Sequence, residues 1–387
     1  MKLLKSITII ILVFMLSVVA IDVFIYFFFS DHVRRFSPKY KMSNDCEPVN
    51  ELYMPHSERG FDIKPGIRDV LCYEPWEAPI YTAWGNSLGC FDTEKEKGYQ
   101  PDIYLAGDSY TWGYAPFEDK FGTILENKTG RNVLKCGVTH TGQRHQFSKF
   151  LDVSERLGQF PEVVVVNYVS NDMESDYVYP HSTAINNQLI EDTYLKRGED
   201  GFFEIVRLDE DALISTTKAK QERKKTSNNP YYYLFLRRYS ASSNILNVVI
   251  KHFREYKKGS VQDDERLHHF YGLADILVDS DMQKGLPIQS VYGEENQKIL
   301  LEWKKHSQEN NYRLIISLIP YIKISNVNYY RNLEYFLSQN GIEHYNFEDY
   351  LAKRNIDLAD IMWRYDAHLN IKGNAVYADY LEVILHK

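Results

Sequence analysis

Apolar positions along the chain fall into three regimes. Over residues 7–29 they are almost continuous, broken only by Thr8, Ser17 and Asp22. At about 1.5 Å of rise per residue, a helix of that length can cross a hydrocarbon core of roughly 30 Å. Over residues 30–99 no period is sustained, and Pro, Gly, Tyr and Glu recur, which predicts a connector wrapped over a domain surface. From residue 100 the rhythm becomes regular. Apolar runs at 102–106, 132–136, 163–168, 313–318 and 342–347 read as strands, the run Val163-Val164-Val165-Val166 most plainly, because a strand covered on both faces is apolar throughout. Amphipathic stretches at 117–128, 143–157, 294–310, 327–339 and 372–385 read as helices, the first stopped by Gly130. Strands alternating with helices predict an α/β domain over 100–387 with a parallel five-stranded sheet covered on both faces.

The alternation stops over residues 176–292. The charged run Lys218-Ala219-Lys220-Gln221-Glu222-Arg223-Lys224-Lys225 and the aromatic run Tyr231-Tyr232-Tyr233-Leu234-Phe235 read there as a largely helical insertion. The lysines are most simply a solvated face and the tyrosines core or interface aromatics.

At the N-terminus, Val18-Val19-Ala20 is a weak cleavage site with strong hydrophobicity beyond it, so residues 1–30 are expected to stay as an uncleaved anchor. Asp22 lies in the distal half, near the Ser30-Asp31-His32 exit, where its charge can reach the interface. Lys2 and Lys5 on one side are opposed by Arg34, Arg35, Lys39 and Lys41 on the other, so charge alone does not orient the span.

Across 387 residues the formal net charge is −8, with no long basic run, so nothing presents the cationic footprint that nucleic acid requires. Of the four cysteines, Cys46, Cys72 and Cys90 precede the α/β domain, and an exported chain can pair two of them; Cys136, at a strand end, reads as a small buried core residue. No Cys or carboxylate spacing completes a metal site around His140, His145 or the adjacent His268 and His269. No metal and no cofactor are expected.

In open parallel sheets ligands bind beyond the C-terminal strand ends. The first strand delivers Gly107-Asp108-Ser109 into a turn that opens a helix, exposing a hydroxyl beside backbone N–H groups and a helix N-terminus. Alone, that tripeptide is as readily an N-cap. Before the last helix comes Asp366-Ala367-His368. A serine hydroxyl needs a neighbouring base, and a histidine needs a carboxylate to hold its tautomer; one loop supplies both.

These segments, in this order, resemble the SGNH hydrolases of the GDSL type, serine esterases and acyl-transfer enzymes on a flavodoxin-like three-layer α/β/α fold. The resemblance spans residues 86–385 and implies Ser109 as nucleophile, Asp366 as orienting acid and His368 as general base. Val166-Asn167-Tyr168-Val169-Ser170-Asn171-Asp172 matches the third block, implying that the Asn171 side-chain amide donates to the oxyanion. Asn86-Ser87-Leu88-Gly89-Cys90-Phe91 resembles an element that precedes the first block in exported members. The second block departs from the pattern: Gly137-Val138-Thr139-His140-Thr141-Gly142 puts His140 where the family has the glycine whose N–H completes the oxyanion hole. A backbone donor survives any side chain that tolerates the local φ/ψ, so His140 can still serve, with Gly142 as the fallback.

The resulting expectation is a single-pass membrane protein whose catalytic domain faces the periplasm or the cell surface. It is expected to act as a serine esterase or acyltransferase on O-acyl groups, O-acetyl foremost, of a carbohydrate polymer, and a membrane partner could supply the acyl group. The carbohydrate assignment comes from the resemblance and the anchor alone. Two other readings compete: a lipid esterase, which needs an apolar face beside the site, and a catalytically silent polysaccharide-binding module of an acylation or export assembly.

Overall fold

The computed structural model describes residues 45–47, 52–73, 81–96, 98–177, 179, 182–185, 188–191, 193–197, 203–207, 293–320, 329–363 and 368–387, with Ser17 and Ala20. The chain divides into two compact units, Met1–Ser43 with Lys218–Arg266, and Asn44–Thr217 with Leu267–Lys387. All described residues except Ser17 and Ala20 belong to the second unit. Among the described residues no helix is long and apolar enough to cross a membrane, and the apolar stretch at 7–29 lies outside them apart from those two.

Among its described residues, the segment expected to be an aperiodic connector holds five short strands. β1 (Asp45–Glu47), β4 (Val70–Tyr73) and β5 (Tyr81–Ala83) form an antiparallel sheet, while β2 (Tyr53–His56) and β3 (Gly60–Ile63) form a hairpin. Strands of three or four residues are too short to leave a readable period. Leu52, Phe61, Ile63, Val70 and Phe91 from this segment share one core with Trp112, Tyr114 and Val138 of the α/β domain. Buried Asp62 fastens it further, accepting from Lys149 Nζ at 2.8 Å and Arg59 Nη2 at 2.5 Å. Burial pushes the Asp62 carboxyl up, but these two cations outweigh it and hold it below the ordinary carboxylate range.

The cysteines correct the sequence reading. Cys136 is not a lone core thiol but is bonded to Cys90, with Cα atoms 4.6 Å apart. Asn86 builds the turn that brings Cys90 there, its Oδ1 accepting from the N–H groups of Leu88 and Cys90, each at 3.0 Å. Cys72 is also disulfide-bonded, and Cys46 lies opposite it in the β1/β4 register.

The α/β domain follows the expected rhythm. β6 (Ile103–Gly107) leads into α1 (Ser109–Trp112) and α2 (Phe121–Thr129); then come β7 (Val133–Lys135), α3 (Gln143–Leu157), β8 (Val163–Tyr168) and α4 (Asp172–Tyr177). Of the insertion expected to be largely helical, the described residues between 182 and 207 form two antiparallel hairpins, and its continuation up to residue 292 lies outside the described residues. These are β9 (Ser182–Ile185) with β10 (Gln188–Glu191), and β11 (Thr193–Arg197) with β12 (Phe203–Arg207). Thr193-Tyr194-Leu195 and Phe203-Glu204-Ile205-Val206 are rich in β-branched and aromatic residues that favour a pleated strand. The lysine-rich and aromatic runs, with His268 and His269, lie outside the described residues.

The rhythm resumes with α5 (Glu294–Glu309), β13 (Arg313–Leu318), α6 (Arg331–Gln339), β14 (His344–Asn346), α7 (Phe347–Lys353), α8 (Leu358–Ile361) and α9 (Ile371–Leu385). The five strands pair in parallel in the order β14-β13-β8-β6-β7. Numbered one to five along the chain, that is 2-1-3-4-5, the flavodoxin-like doubly wound order. Successive strand residues point to opposite layers. Tyr104, Val164 and Ile316 pack with Phe150, Trp303 and Leu333, whereas Ile103, Val165 and Ile315 pack with Leu125, Phe347 and Leu381. The strand order reverses between β6 and β8, which opens a crevice at their C-terminal ends.

Candidate active site

Ser109 follows β6 and Asn171 follows β8, so both lie at this crevice. Gly107 makes the exit from β6 possible. Its φ is +154°, and a Cβ there would come within 2.0 Å of Thr111 Oγ1. Asp108 then caps the turn, its Oδ1 accepting from the N–H of Tyr110 at 2.9 Å. The helix expected to open at Ser109 is a single turn, Ser109–Trp112, ended at Gly113 with φ 65°. It is too short to supply a sizeable macrodipole.

His368 Nε2 lies 2.7 Å from Ser109 Oγ across 259 residues of sequence. Its loop is closed by the Trp363 N–H donating to the His368 carbonyl at 2.8 Å and by an antiparallel bridge between Met362 and Leu369. Asn370 caps α9, accepting from the Gly373 N–H at 2.8 Å, and its Nδ2 donates to the Asp360 and Met362 carbonyls at 3.1 Å. The imidazole packs against Tyr110 and Tyr114, both ring centroids at 4.6 Å, the second edge-on. These two tyrosines restrict the ring while leaving Nε2 on the serine. Asp366, the expected orienting acid, lies outside the described residues.

Asp108 links the nucleophile to the expected oxyanion donor. Its buried Oδ2 accepts from Ser109 Oγ at 3.3 Å and from Asn171 Nδ2 at 3.3 Å. The serine has one proton and His368 is nearer, so the hydroxyl donates to Nε2 as its first choice. One hydrogen of the Asn171 amide is anchored on Asp108, and the second is available for an oxyanion. Flipping the amide would set its oxygen against a carboxylate, so this orientation follows from Asp108. Burial pushes the Asp108 carboxyl up, opposed by the Tyr110 N–H and by His368.

His140 and Gly142 occupy the neighbouring loop, tied to β6 by the Val138 N–H donating to the Gly107 carbonyl at 3.0 Å. His140 is exposed with φ 59°, so a histidine holds the left-handed conformation for which glycine is favoured. Gly142 is extended, with φ −100° and ψ −174°, and precedes α3. A Cβ on it would meet Asp176 Oδ1 at 2.5 Å and the Asp172 carbonyl at 2.8 Å, so this glycine is required for close packing on α4.

Ser109, His368 and Asn171 are thus joined around Asp108, with the His140 loop alongside. The sequence reading assigned no role to Asp108, Tyr110, Tyr114 or Asp172, although the first three lie within or beside the Gly-Asp-Ser segment and Asp172 directly follows Asn171.

No family model matches the chain, and no curated protein matches it. Among solved structures, a lipolytic protein of the G-D-S-L family from Desulfitobacterium hafniense is similar at 11% identity and a TM-score of 0.35, over 72% of this chain and 96% of its own. An acetyl xylan esterase from the rumen bacterium Butyrivibrio proteoclasticus is similar at 13% identity and a TM-score of 0.33, over 74% of this chain and 65% of its own.

Proposed function

We propose that the chain is a serine esterase or acyltransferase working through an acyl-serine on O-acyl groups, foremost O-acetyl groups, of a carbohydrate polymer outside the cytoplasm. The observation that carries this reading is the 2.7 Å contact between His368 Nε2 and Ser109 Oγ at the strand-order reversal. In that geometry the imidazole takes the hydroxyl proton as Oγ attacks the ester carbonyl carbon. The carbonyl oxygen becomes an oxyanion, and the free hydrogen of the Asn171 amide donates to it. The oxyanion then collapses, the acyl C–O bond to the sugar breaks, and His368 gives its proton to the departing sugar oxygen, which leaves as a hydroxyl. Water, or a second sugar hydroxyl, attacks the acyl-serine with the same proton relay. Asp366 would stabilise the imidazolium from the histidine loop.

The export component is supported by the apolar stretch at 7–29 and by disulfide bonding at Cys72, Cys90 and Cys136, which suits an oxidising compartment. The carbohydrate component rests on the sequence resemblance. The test is 4-nitrophenyl acetate hydrolysis by the full chain beside Ser109→Ala. We expect turnover that falls by at least about a thousandfold in the variant; equal rates would remove Ser109 as nucleophile. Acetate release from acetylated polysaccharides, compared with release from acyl lipids, then separates the substrate classes.

A further inference from the structure

Behind the proposed oxyanion site lies a buried carboxylate to which the reaction above gives no part. Asp172 has no exposed surface, and its oxygens accept from three N–H groups on two separate segments. Oδ2 takes the backbone N–H of Val169 at 3.1 Å and Gln143 Nε2 at 2.8 Å; Oδ1 takes Gln146 Nε2 at 3.1 Å. Val169 belongs to the loop that presents Asn171. Gln143 and Gln146 belong to the first turns of α3, immediately after His140 and Gly142. Gln143 Nε2 also donates to Gln146 Oε1 at 3.0 Å, and Gln146 Nε2 reaches back to the Thr141 carbonyl at 3.3 Å. The two glutamines therefore act as one unit, and neither amide can turn over without breaking a bond. The same two segments meet again where the Arg144 N–H donates to Asp176 Oδ1 at 2.8 Å and where Gly142 packs on the Asp172 carbonyl.

Resting on the proposed esterase reading and extending it, we infer that Asp172 is a positioning residue. It holds the Asn171 loop and the His140-Gly142 loop at one mutual spacing, so that a side-chain donor from one and a backbone donor from the other converge on a single oxyanion. Burial and the neighbouring Asp108 and Asp176 push this carboxyl up, opposed by the Val169 N–H and the Gln143 amide. The task falls to it because both of its oxygens accept, so that three donors from two directions are met at once. An asparagine of the same shape would turn one N–H2 group toward an N–H donor, and the contact would open.

The test compares wild-type full chain with Asp172→Asn and with the milder Gln143→Ala, which removes one of the two glutamine bonds. With 4-nitrophenyl acetate, kcat should fall about 10- to 100-fold in Asp172→Asn and less in Gln143→Ala, with KM within about threefold, because the spacing matters only once charge develops on the oxygen. Hydrogen exchange read by mass spectrometry should accelerate in peptides covering both 137–142 and 169–172. A folded variant with wild-type kcat would overturn the inference, as would a kcat loss that merely tracks the folded fraction. Exchange that changes only over 169–177 would also overturn it. If the wild type shows no turnover, the esterase reading fails, and the exchange comparison alone still decides whether Asp172 couples the two loops. If Asp172→Asn does not fold, Gln143→Ala carries both measurements.

Discussion

His140 concentrates the residue-scale question, since at φ 59° it occupies a backbone conformation that costs a non-glycine residue roughly 1–2 kcal/mol. If the loop contributes its backbone N–H, the oxyanion itself calls on no side chain at this position. His140→Gly is then expected to raise the unfolding free energy by about 0.5–1 kcal/mol in urea titrations while leaving kcat within about twofold. A collapse of kcat in a stabilised variant would instead give the imidazole a part in the reaction. Asp108 shows the complementary situation: a buried carboxyl that caps the turn at Tyr110 and anchors the Asn171 amide was hidden in the sequence, because a turn-capping aspartate and an orienting aspartate are the same letter.

At the scale of elements, two buried titratable groups on adjacent helices give opposite pH slopes. His145 on α3 lies 2.8 Å from the Phe61 carbonyl through Nε2, and its Nδ1 is buried without a partner. Burial therefore lowers its pKa to about 3. Between about pH 6.5 and pH 3 the unfolded chain takes up the proton and the native chain does not, so this contribution is complete above 6.5 and is lost as pH falls. Asp176 on α4 is pushed up by burial to about 7, so the native chain holds its proton where the unfolded chain has released it, and stability is lost as pH rises toward 7. The His145→Gln variant isolates the first effect. The wild-type advantage in unfolding free energy should shrink by about 2 kcal/mol from pH 7 to pH 5, at about 1.4 kcal/mol per unit below 6.5. An advantage independent of pH would contradict this assignment.

β8, β13 and α3 have the bounds that their apolar patterns predicted, because long buried strands and an amphipathic helix leave strong periodic signals. The hairpins β9–β12 lie at the start of the long stretch between α4 and α5, and strands of four or five residues leave too little period to be read there. α7 and α8 were not foreseen, being short elements held by packing of Phe347, Tyr350, Leu351, Leu358 and Ile361. Ser109, His368 and Asn171 were legible because the Gly-Asp-Ser, Asp-x-His and Asn-Asp segments stand at strand and helix boundaries. Asp172, Gln143 and Gln146 were not, because their roles depend on two loops meeting in space.

At the scale of the whole molecule, the N-terminal strands are part of the folded body rather than a tether to it. Asp62 binds Lys149 of α3, and the Cys90–Cys136 disulfide joins the Asn86 turn to the end of β7, just before the His140 loop. The bond closes a loop with a sequence separation of 46, for which chain entropy alone gives about 4 kcal/mol of stabilisation. The paired variant Cys90→Ser with Cys136→Ser should lose stability of that order in urea unfolding. A loss below about 1 kcal/mol would show that the surrounding core holds the segment without the covalent link.

On this geometry His368, brought from the far end of the chain, activates Ser109. The most direct measurement is the rate at which a fluorophosphonate adds to intact full-length protein, followed by mass and located by peptide sequencing, for wild type and for folded His368→Ala. The structure predicts one adduct on Ser109 in the wild type and a rate lower by at least about a hundredfold in the variant. Labelling of Ser109 at the same rate in both proteins would show that His368 does not activate it, and a folded wild type that takes up no label would show that Ser109 is not an activated nucleophile.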